Sequence, residues 1–335
     1  RPNRPMNLKE LAKNLGLSQT TVSRALNGYP EVNEVTRARV LHAAKQHNYR
    51  PNMRAKGLAT GRAMAIGHVI PRETKHEMVN PVFADFIAGA GETYAEAGYE
   101  MVISIIEDGQ EEQVYRALKA RGTVDGVILH APKIRDPRVK LLEAIGLPFA
   151  VHGRVSGHHG PPYCWLDINN RSAFRRATDF LLDLGHRRVA LINGNEGMDF
   201  AHRRRLGHVE ALEARGLVLD PDLMRSQEMT ESNGYRFARE LMAGDRPPTA
   251  YLVSSIIMAL GVRRAVEEAG LTVGRDVSMV IHDDALSYLK NGEDVPVFTA
   301  TRSSVRDAGR RLAELLLARI ATPASPPHQE LMEVE

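Results

Sequence analysis

The sequence predicts an α/β protein in which a small all-helical N-terminal headpiece precedes a two-lobed core with parallel β-sheets. Residues 1–62 contain three short amphipathic helix patterns and carry 12 Lys or Arg against 3 acidic residues, a net charge of +9. From Met64 onward, apolar strand-like runs alternate with longer helical patterns, which is typical of parallel sheets covered by helices on both faces. Two such series follow one another, and they predict two lobes.

The headpiece contains local signals for where each helix begins and ends. Gly16 separates the first two helices, Ser18 is a good N-cap for the second, and Asn27-Gly28 supplies its C-terminal stop. The third helix is expected to run from about Asn33 to His47. The apolar positions of the three helices are Leu8, Leu11, Ala12 and Leu15; Val22, Ala25 and Leu26; and Val35, Val40, Ala43 and Ala44.

The second helix has a polar outer face suited to reading DNA. Two helices joined by a tight turn form a helix-turn-helix, whose second helix enters the major groove. Gln19, Thr20, Ser23 and Arg24 lie on the outward side, where Gln can pair with adenine and Arg with guanine. Any solvated helix can look like this, so the face is weak evidence by itself.

The core sequence predicts a ligand cleft between its lobes. The first series of strands is MAIGHVI, MVISII, GVILHA and PFAVHG, and the second is YCWLDI, RVALING, TAYLVSS and VSMVIHD. Ligands of such sheets bind beyond the carboxyl ends of the strands. His130 closes one strand, and His152 and Arg154 follow another, which favours a polar pocket over purely structural histidines.

Composition and charge narrow the class of protein. The single cysteine, Cys164, cannot form an internal disulfide, and no run approaches the roughly 20 apolar residues that cross a bilayer. The N-terminus has no apolar leader pattern, so we expect a cytoplasmic protein. The charge of −6 on the rest of the chain contrasts with the +9 headpiece, which favours nucleic acid as partner over an anionic membrane.

The run from Leu8 to Asn52 resembles the DNA-binding domain of the lactose repressor (LacI/GalR) family. The matching residues include Ala12, Gly16, Thr21-Val22-Ser23-Arg24 and Tyr49-x-Pro51-Asn52. The resemblance also implies that Asn52 to Gly61 is a hinge helix that orders on the operator, with Leu58 wedged into the minor groove. A flexible tether remains the alternative for this glycine-broken stretch. The residues implied in DNA binding are Ser18, Gln19, Thr20, Ser23, Arg24, Asn27, Tyr49, Asn52, Leu58 and Ala59.

The resemblance continues through the core, which is similar to periplasmic binding proteins. It implies that Phe83 faces a sugar or base ring, that Arg204 donates to the effector and that Asp283 accepts from it, with lobe packing or solvated residues as the alternatives. Ser255-Ile256 stands where the family commonly has Asn-Asp, which makes that side of the pocket less polar. The implied effector residues are Phe83, His130, His152, Arg154, Arg204, Ser255 and Asp283.

These features together predict a homodimeric transcriptional repressor that binds a pseudo-palindromic DNA operator under the control of a mono- or disaccharide. The expected domains are the headpiece at 1–51, the hinge at 52–63 and the effector-binding and dimerisation core at 64–335. A faint further resemblance is to regulators of α-glucoside use. A sugar-binding or transport-type protein that shares only the core is the alternative, against which the headpiece argues.

We predict no enzyme, cofactor or metal site. The phosphate loop GxxxxGK[ST] and the elbow GxSxG are absent from the sequence, and Asn80 stands where His76-Glu77 would need a second histidine for a zinc protease. We expect Cys164 to be a buried, unreactive thiol. His158 and His159 lie in a loop in which nothing fixes the geometry of a metal.

Overall fold

The structure, a computed structural model, describes residues 6–49, 61–71, 79–107 and 109–335. Two compact units divide the chain, 1–64 and 65–335. Most of the expected hinge, including Asn52, Leu58 and Ala59, lies outside the described residues.

The first unit consists of the three predicted helices. Asn7 and Glu10 form a reciprocal capping box on the first helix, and Gly16 ends it with a φ of +67°, a left-handed conformation that glycine adopts without strain. Ser18 and Asn33 accept hydrogen bonds as the predicted N-caps of the other two. The helices are α1 (Leu8–Leu15), α2 (Gln19–Leu26) and α3 (Glu34–Gln46).

A small apolar cluster holds these helices together. Leu11, Val22 and Val40 are fully buried, one from each helix. The prediction that Val35 belongs to the buried face of α3 is wrong, because its side chain is 73% exposed. Val35 lies in the first turn of α3, whereas Val40 and Ala44 supply the buried contacts one and two turns later.

The second unit contains eleven strands and eight helices among its described residues. The strands are β1 (Ala65–Pro71), β2 (Glu100–Ile106), β3 (Gly126–Leu129), β4 (Phe149–His152), β5 (Cys164–Ile168), β6 (Val189–Asn193), β7 (Met224–Ser226), β8 (Ala250–Val253), β9 (Ser278–Asp283), β10 (Thr299–Arg302) and β11 (Gln329–Met332). The helices are α4 (Pro81–Glu96), α5 (Glu111–Arg121), α6 (Pro137–Ile145), α7 (Asn170–Asp183), α8 (Asp199–Ala214), α9 (Glu231–Met242), α10 (Ile256–Glu268) and α11 (Val305–Ala321).

The strands form two parallel sheets, as predicted, but the chain is divided between them differently. The first sheet has the order β11-β5-β4-β3-β1-β2 and the second β10-β9-β8-β6-β7. The run YCWLDI, predicted in the second series, forms β5 of the first sheet, paired with β4. The last strand, β11, pairs with β5, so the C-terminal segment also belongs to the first lobe.

Helices cover both faces of the second sheet. Successive strand residues point to opposite sides of the sheet, so neighbouring residues show which helix packs on each face. Leu191 packs in a cluster with Phe174 of α7, while the adjacent Ile192 packs in a cluster with Phe237 of α9. In the described part of the chain, none of the helices combines the length and apolarity needed to cross a membrane.

Helix α11 is held on the first lobe by close contact with α4. A Cβ atom on Gly309 would lie 2.2 Å from the carbonyl oxygen of Phe86, and one on Gly89 would lie 2.0 Å from that of Arg306. Only glycine permits this approach at either position. Helix α11 thus belongs to the first lobe although it follows the second lobe in the sequence. The chain crosses between the lobes near Asn169, Ser303 and Glu335.

Candidate functional site

The exposed face of α2 presents the side chains expected to read DNA bases. Gln19, Thr20 and Arg24 are exposed, and Ser23 is half-buried. Val22 and Ala25, on the opposite side of the same helix, are 0% and 1% exposed. Burial of one side fixes the orientation of the other, so these polar groups project from a rigid helix.

Three other residues expected to bind DNA take part in local structure. Ser18 Oγ accepts from Thr21 N at 3.0 Å, and Asn27 Nδ2 donates to Ser23 O at 2.8 Å. Tyr49 is half-buried against the helical cluster, and this burial raises the pKa of its hydroxyl. Their roles in DNA binding stay predictions.

A cleft of about 1050 Å³, including its open mouth, lies between the lobes of the second unit. Its polar walls follow the carboxyl ends of β3, β4, β5 and β9, where ligands of parallel sheets bind. Aromatic rings and other apolar side chains form most of the remaining surface, to which polar residues such as Asn80 and Ser303 also contribute. The lining residues used below are Phe83, Phe86, His130, His152, Asp167, Asn170, Phe200, Arg204 and Asp284.

The cleft brings together four of the seven predicted effector residues: Phe83, His130, His152 and Arg204. The other three do not line it. Arg154 Nε donates to Asp167 Oδ2 at 2.8 Å, and its guanidinium lies over Trp165. Ser255 caps α10 by accepting from Met258 N at 3.2 Å. Asp283 accepts from Ala285 N at 2.9 Å, and the next residue, Asp284, lines the cleft instead.

Arg204, which lines the cleft, is held in place by two hydrogen bonds. Its Nε donates to Asn170 Oδ1 at 2.8 Å and its Nη1 donates to Ser254 O at 2.7 Å. Among the described residues Nη2 has no hydrogen-bond acceptor. Burial lowers the pKa of Arg204 to about 10, against the opposing effect of Asp284 and Asp167, so the guanidinium stays charged at neutral pH. A guanidinium held in place with an unused N–H donor can bind a hydroxyl or a carboxylate of a ligand.

Asp284 supplies the balancing negative charge. Burial raises its pKa, but the contact with His282 and the positive charge of Arg204 more than offset this and lower the pKa below its usual value. Asp284 Oδ1 lies 3.5 Å from His282 Nε2. An ionised carboxylate can accept from two neighbouring hydroxyls at once.

A chain of buried groups fixes the hydrogen-bonding character of His130. The hydroxyl of Tyr94 lies 3.2 Å from His68 Nε2, and His68 Nδ1 lies 2.8 Å from His130 Nε2. Burial lowers the pKa of both histidines, that of His68 to about 3, so both are neutral. Since His68 is the only partner of the Tyr94 hydroxyl in the described chain, the hydroxyl proton is satisfied only if Tyr94 donates. His68 then donates to His130, whose Nδ1–H is left as a donor for the cleft.

Hydrogen bonds near the cleft connect the two lobes. Ser156 N of the first lobe donates to Asp199 Oδ2 of the second at 2.5 Å, and Asp199 N donates to Pro132 O at 2.9 Å. Arg203 Nη2 donates to Ser156 Oγ at 3.0 Å. Asp199 and Arg203 belong to α8, which also carries Phe200 and Arg204, so one helix contributes both to the contacts between the lobes and to the lining of the cleft.

Two side chains considered for chemistry have structural surroundings. Cys164 is buried, as predicted, and burial raises the pKa of its thiol to about 11, so it is protonated at neutral pH. His158 Nε2 lies 2.9 Å from Pro161 O within its own loop.

Sequence reasoning missed several cleft residues. Phe86 and Phe200 lie in helical patterns, where nothing separates a ligand contact from a core position. Asp284 was within reach, because strand residues alternate between faces and Asp283 and Asp284 must point in opposite directions. Asp167 lies next to the carboxyl end of β5, where the rule that placed His130 and His152 at the cleft applies equally.

Comparisons with known proteins agree with this geometry. Residues 7–52 match the family described as bacterial regulatory proteins, lacI family, and residues 178–335 match a periplasmic binding protein-like domain. The HTH-type transcriptional regulator AglR of Rhizobium meliloti (strain 1021) is 46% identical over 99% of this chain and 92% of its own length. RafR of Escherichia coli is 33% identical over 96% and 94%.

Two solved structures extend the likeness to three dimensions. The lac repressor dimer bound to operator and the anti-inducer ONPF is 25% identical, with a TM-score of 0.82 over 99% of this chain and 97% of that one. The complex of the regulator CelR with cellobiose is 28% identical, with a TM-score of 0.72 over 98% of each chain.

Proposed function

This chain belongs to the LacI family of bacterial transcriptional regulators, and from that premise we propose that it is a repressor whose operator affinity is set by a sugar bound between the lobes. The headpiece binds DNA and the core binds the effector. A ligand that contacts both lobes favours one lobe arrangement, and the coupling equals its differential affinity for the two arrangements.

The DNA-reading residues proposed here are Gln19, Thr20 and Arg24. They are supported by their joint exposure on α2 and by the buried residues that fix the helix beneath them. The lac repressor to which the chain is similar was solved as a dimer on operator, and we propose a dimer here also. Two-fold symmetry then requires two half-sites in a pseudo-palindromic operator.

The cleft favours a neutral sugar over a strongly charged ligand. Arg204 and Asp284 carry opposite charges on its walls, and the charge of Asp167 is paired with Arg154. Phe83 and Phe200 offer flat apolar surfaces, which suit the C–H faces of sugar rings. The likeness to the CelR–cellobiose complex supports a disaccharide.

The single observation that carries the proposal is the convergence of Arg204, Asp284 and His130 on one aromatic cleft, in a chain that also has a reading helix. The proposal includes no catalytic step, and turnover of a bound sugar would contradict it. As a regulator of genes, the protein would act in the cytoplasm.

A two-part experiment tests this function. A thermal-shift screen of the purified chain against mono- and disaccharides should find a sugar that raises the melting temperature, because ligand binding stabilises the native state. Fluorescence anisotropy on genomic fragments at moderate salt should then find one that binds better than random duplex and responds to that sugar. The absence of any preferred fragment, with and without the sugars, would refute the regulator.

A further inference from the structure

A second pocket lies in the second lobe, at the amino ends of its strands and therefore at the opposite edge of the sheet from the cleft. Its volume is about 690 Å³, including the open mouth. Val189 begins β6, Met224 begins β7, and Arg246 precedes β8. The side chains that matter for its chemistry are Arg187, Arg188, His208, Asp220 and Arg246, set around an apolar surface that includes Leu212 and Leu223.

The second pocket has an excess of positive charge. Three arginines line it against one carboxylate, and that carboxylate, Asp220, already accepts from Arg188 Nη1 at 2.9 Å. Arg187 Nη1 donates to backbone carbonyl oxygens. Arg246 is exposed, and in the described chain its guanidinium makes no hydrogen bond or ion pair. Asp220 also interacts electrostatically with Arg246, so a single carboxylate faces three arginines and the lining keeps an excess positive charge, which favours an anion.

The inner wall of the second pocket holds an unsatisfied acceptor. His208 is fully buried, and its Nδ1 lies 2.9 Å from Thr178 Oγ1. Since the Thr178 hydroxyl donates to Phe174 O at 2.7 Å, it accepts from His208 Nδ1–H. Nε2 is then an acceptor, and no partner for it exists among the described residues. This nitrogen is therefore an acceptor available to a donor group of a bound molecule.

We propose that the second pocket binds a small hydroxylated organic anion of the sugar-phosphate class, with its anionic group at Arg187 and Arg246 and a hydroxyl donating to His208 Nε2. The site is distinct from the effector cleft and goes beyond the function proposed above. His208 lies one turn after Arg204 on α8. An occupant can therefore bias the position of the helix that contributes Arg204 to the cleft, which makes the second pocket suited to a co-regulator.

Isothermal titration of the full chain with glucose 1-phosphate tests the proposal, with glucose and inorganic phosphate as comparators. Glucose 1-phosphate should bind more tightly than phosphate. Arg246→Met should weaken it by about tenfold, because a charge-assisted contact is lost at an exposed residue on which the fold does not depend. Arg116→Met, which removes an exposed arginine from the first lobe, is the matched control and should bind like wild type.

His208→Phe should remove the advantage of glucose 1-phosphate over inorganic phosphate, because the acceptor for the hydroxyl is lost, together with the hydrogen bond to Thr178. Arg204→Met should leave this binding unchanged. If glucose 1-phosphate does not bind, or if Arg246→Met binds it like wild type, the proposal is overturned. Loss of binding in Arg204→Met alone would place the anion in the cleft, overturning the second site and leaving the proposed function intact.

Discussion

The core should lose stability steeply between pH 7 and pH 5.5, because it buries neutral histidines. Burial lowers the pKa of His68 to about 3 and those of His152 and His208 to about 4, from an ordinary value of 6.5. The unfolded chain binds protons as pH falls through 6.5, whereas the folded chain does not until about pH 4. The stability due to these groups is therefore complete above pH 6.5 and is lost as pH falls from 6.5 towards 4.

The size of the loss follows from these pKa values. Between pH 7 and pH 5.5 each histidine costs a little over ~1 kcal/mol of the free energy of unfolding, so the three together cost about 4 kcal/mol. That is a large fraction of the ~5–15 kcal/mol that stabilises a typical domain. Carboxylates contribute little in this window, because their ordinary pKa values lie near 4.

Urea denaturation at the two pH values and constant ionic strength measures the loss. Circular dichroism follows both lobes, and fluorescence of Trp165, the only tryptophan of the chain, follows the first lobe through β5. His208→Phe should reduce the pH dependence seen by circular dichroism by about 1 kcal/mol, since one protonating group is gone. Equal stability of the wild type at pH 7 and pH 5.5 would refute the reasoning.

Three further predictions concern the DNA-reading helix and the cleft. Arg24→Ala should relax base preference at one operator position at a cost of about 1–3 kcal/mol, whereas Lys9→Ala should weaken binding to all duplexes alike. Fluorescence anisotropy on operators with single base changes distinguishes the two variants. An equal loss of affinity on every sequence for Arg24→Ala would exclude Arg24 from base reading. Arg204→Met should weaken binding of the effector sugar about tenfold and reduce the thermal shift that the sugar causes. A thermal shift as large as that of the wild type would exclude Arg204 from the site. Tyr94→Phe should weaken binding of the sugar about fivefold and change the ¹⁵N chemical shifts of the His130 ring, because the donor that begins the chain of buried hydrogen bonds is lost. Unaltered ring shifts would contradict the assigned tautomer.

The sequence by itself determined the local structure and the class of protein. Caps such as Ser18 and Gly16 act within a few residues of their own position, so the headpiece helices could be placed almost exactly. The spacing of Val22 and Ala25 fixed which side of α2 is exposed, and the alternation of strands and helices predicted parallel sheets. The histidines at the ends of β3 and β4 reached the cleft as expected, because strand ends of a parallel sheet share one edge.

Only the tertiary structure decided which lobe each strand joins and which side chains meet. Strand β5 and strand β11 pair with each other although more than 150 residues separate them, and nothing local in YCWLDI reveals that partner. The same holds for the cleft, which is lined by Asp284 and not by Asp283. It holds also for the acceptor nitrogen of His208, whose protonation depends on a threonine 30 residues away. Contacts of this kind arise from packing between distant segments. Their energies depend on both partners and cannot be predicted from the sequence pattern of either segment alone.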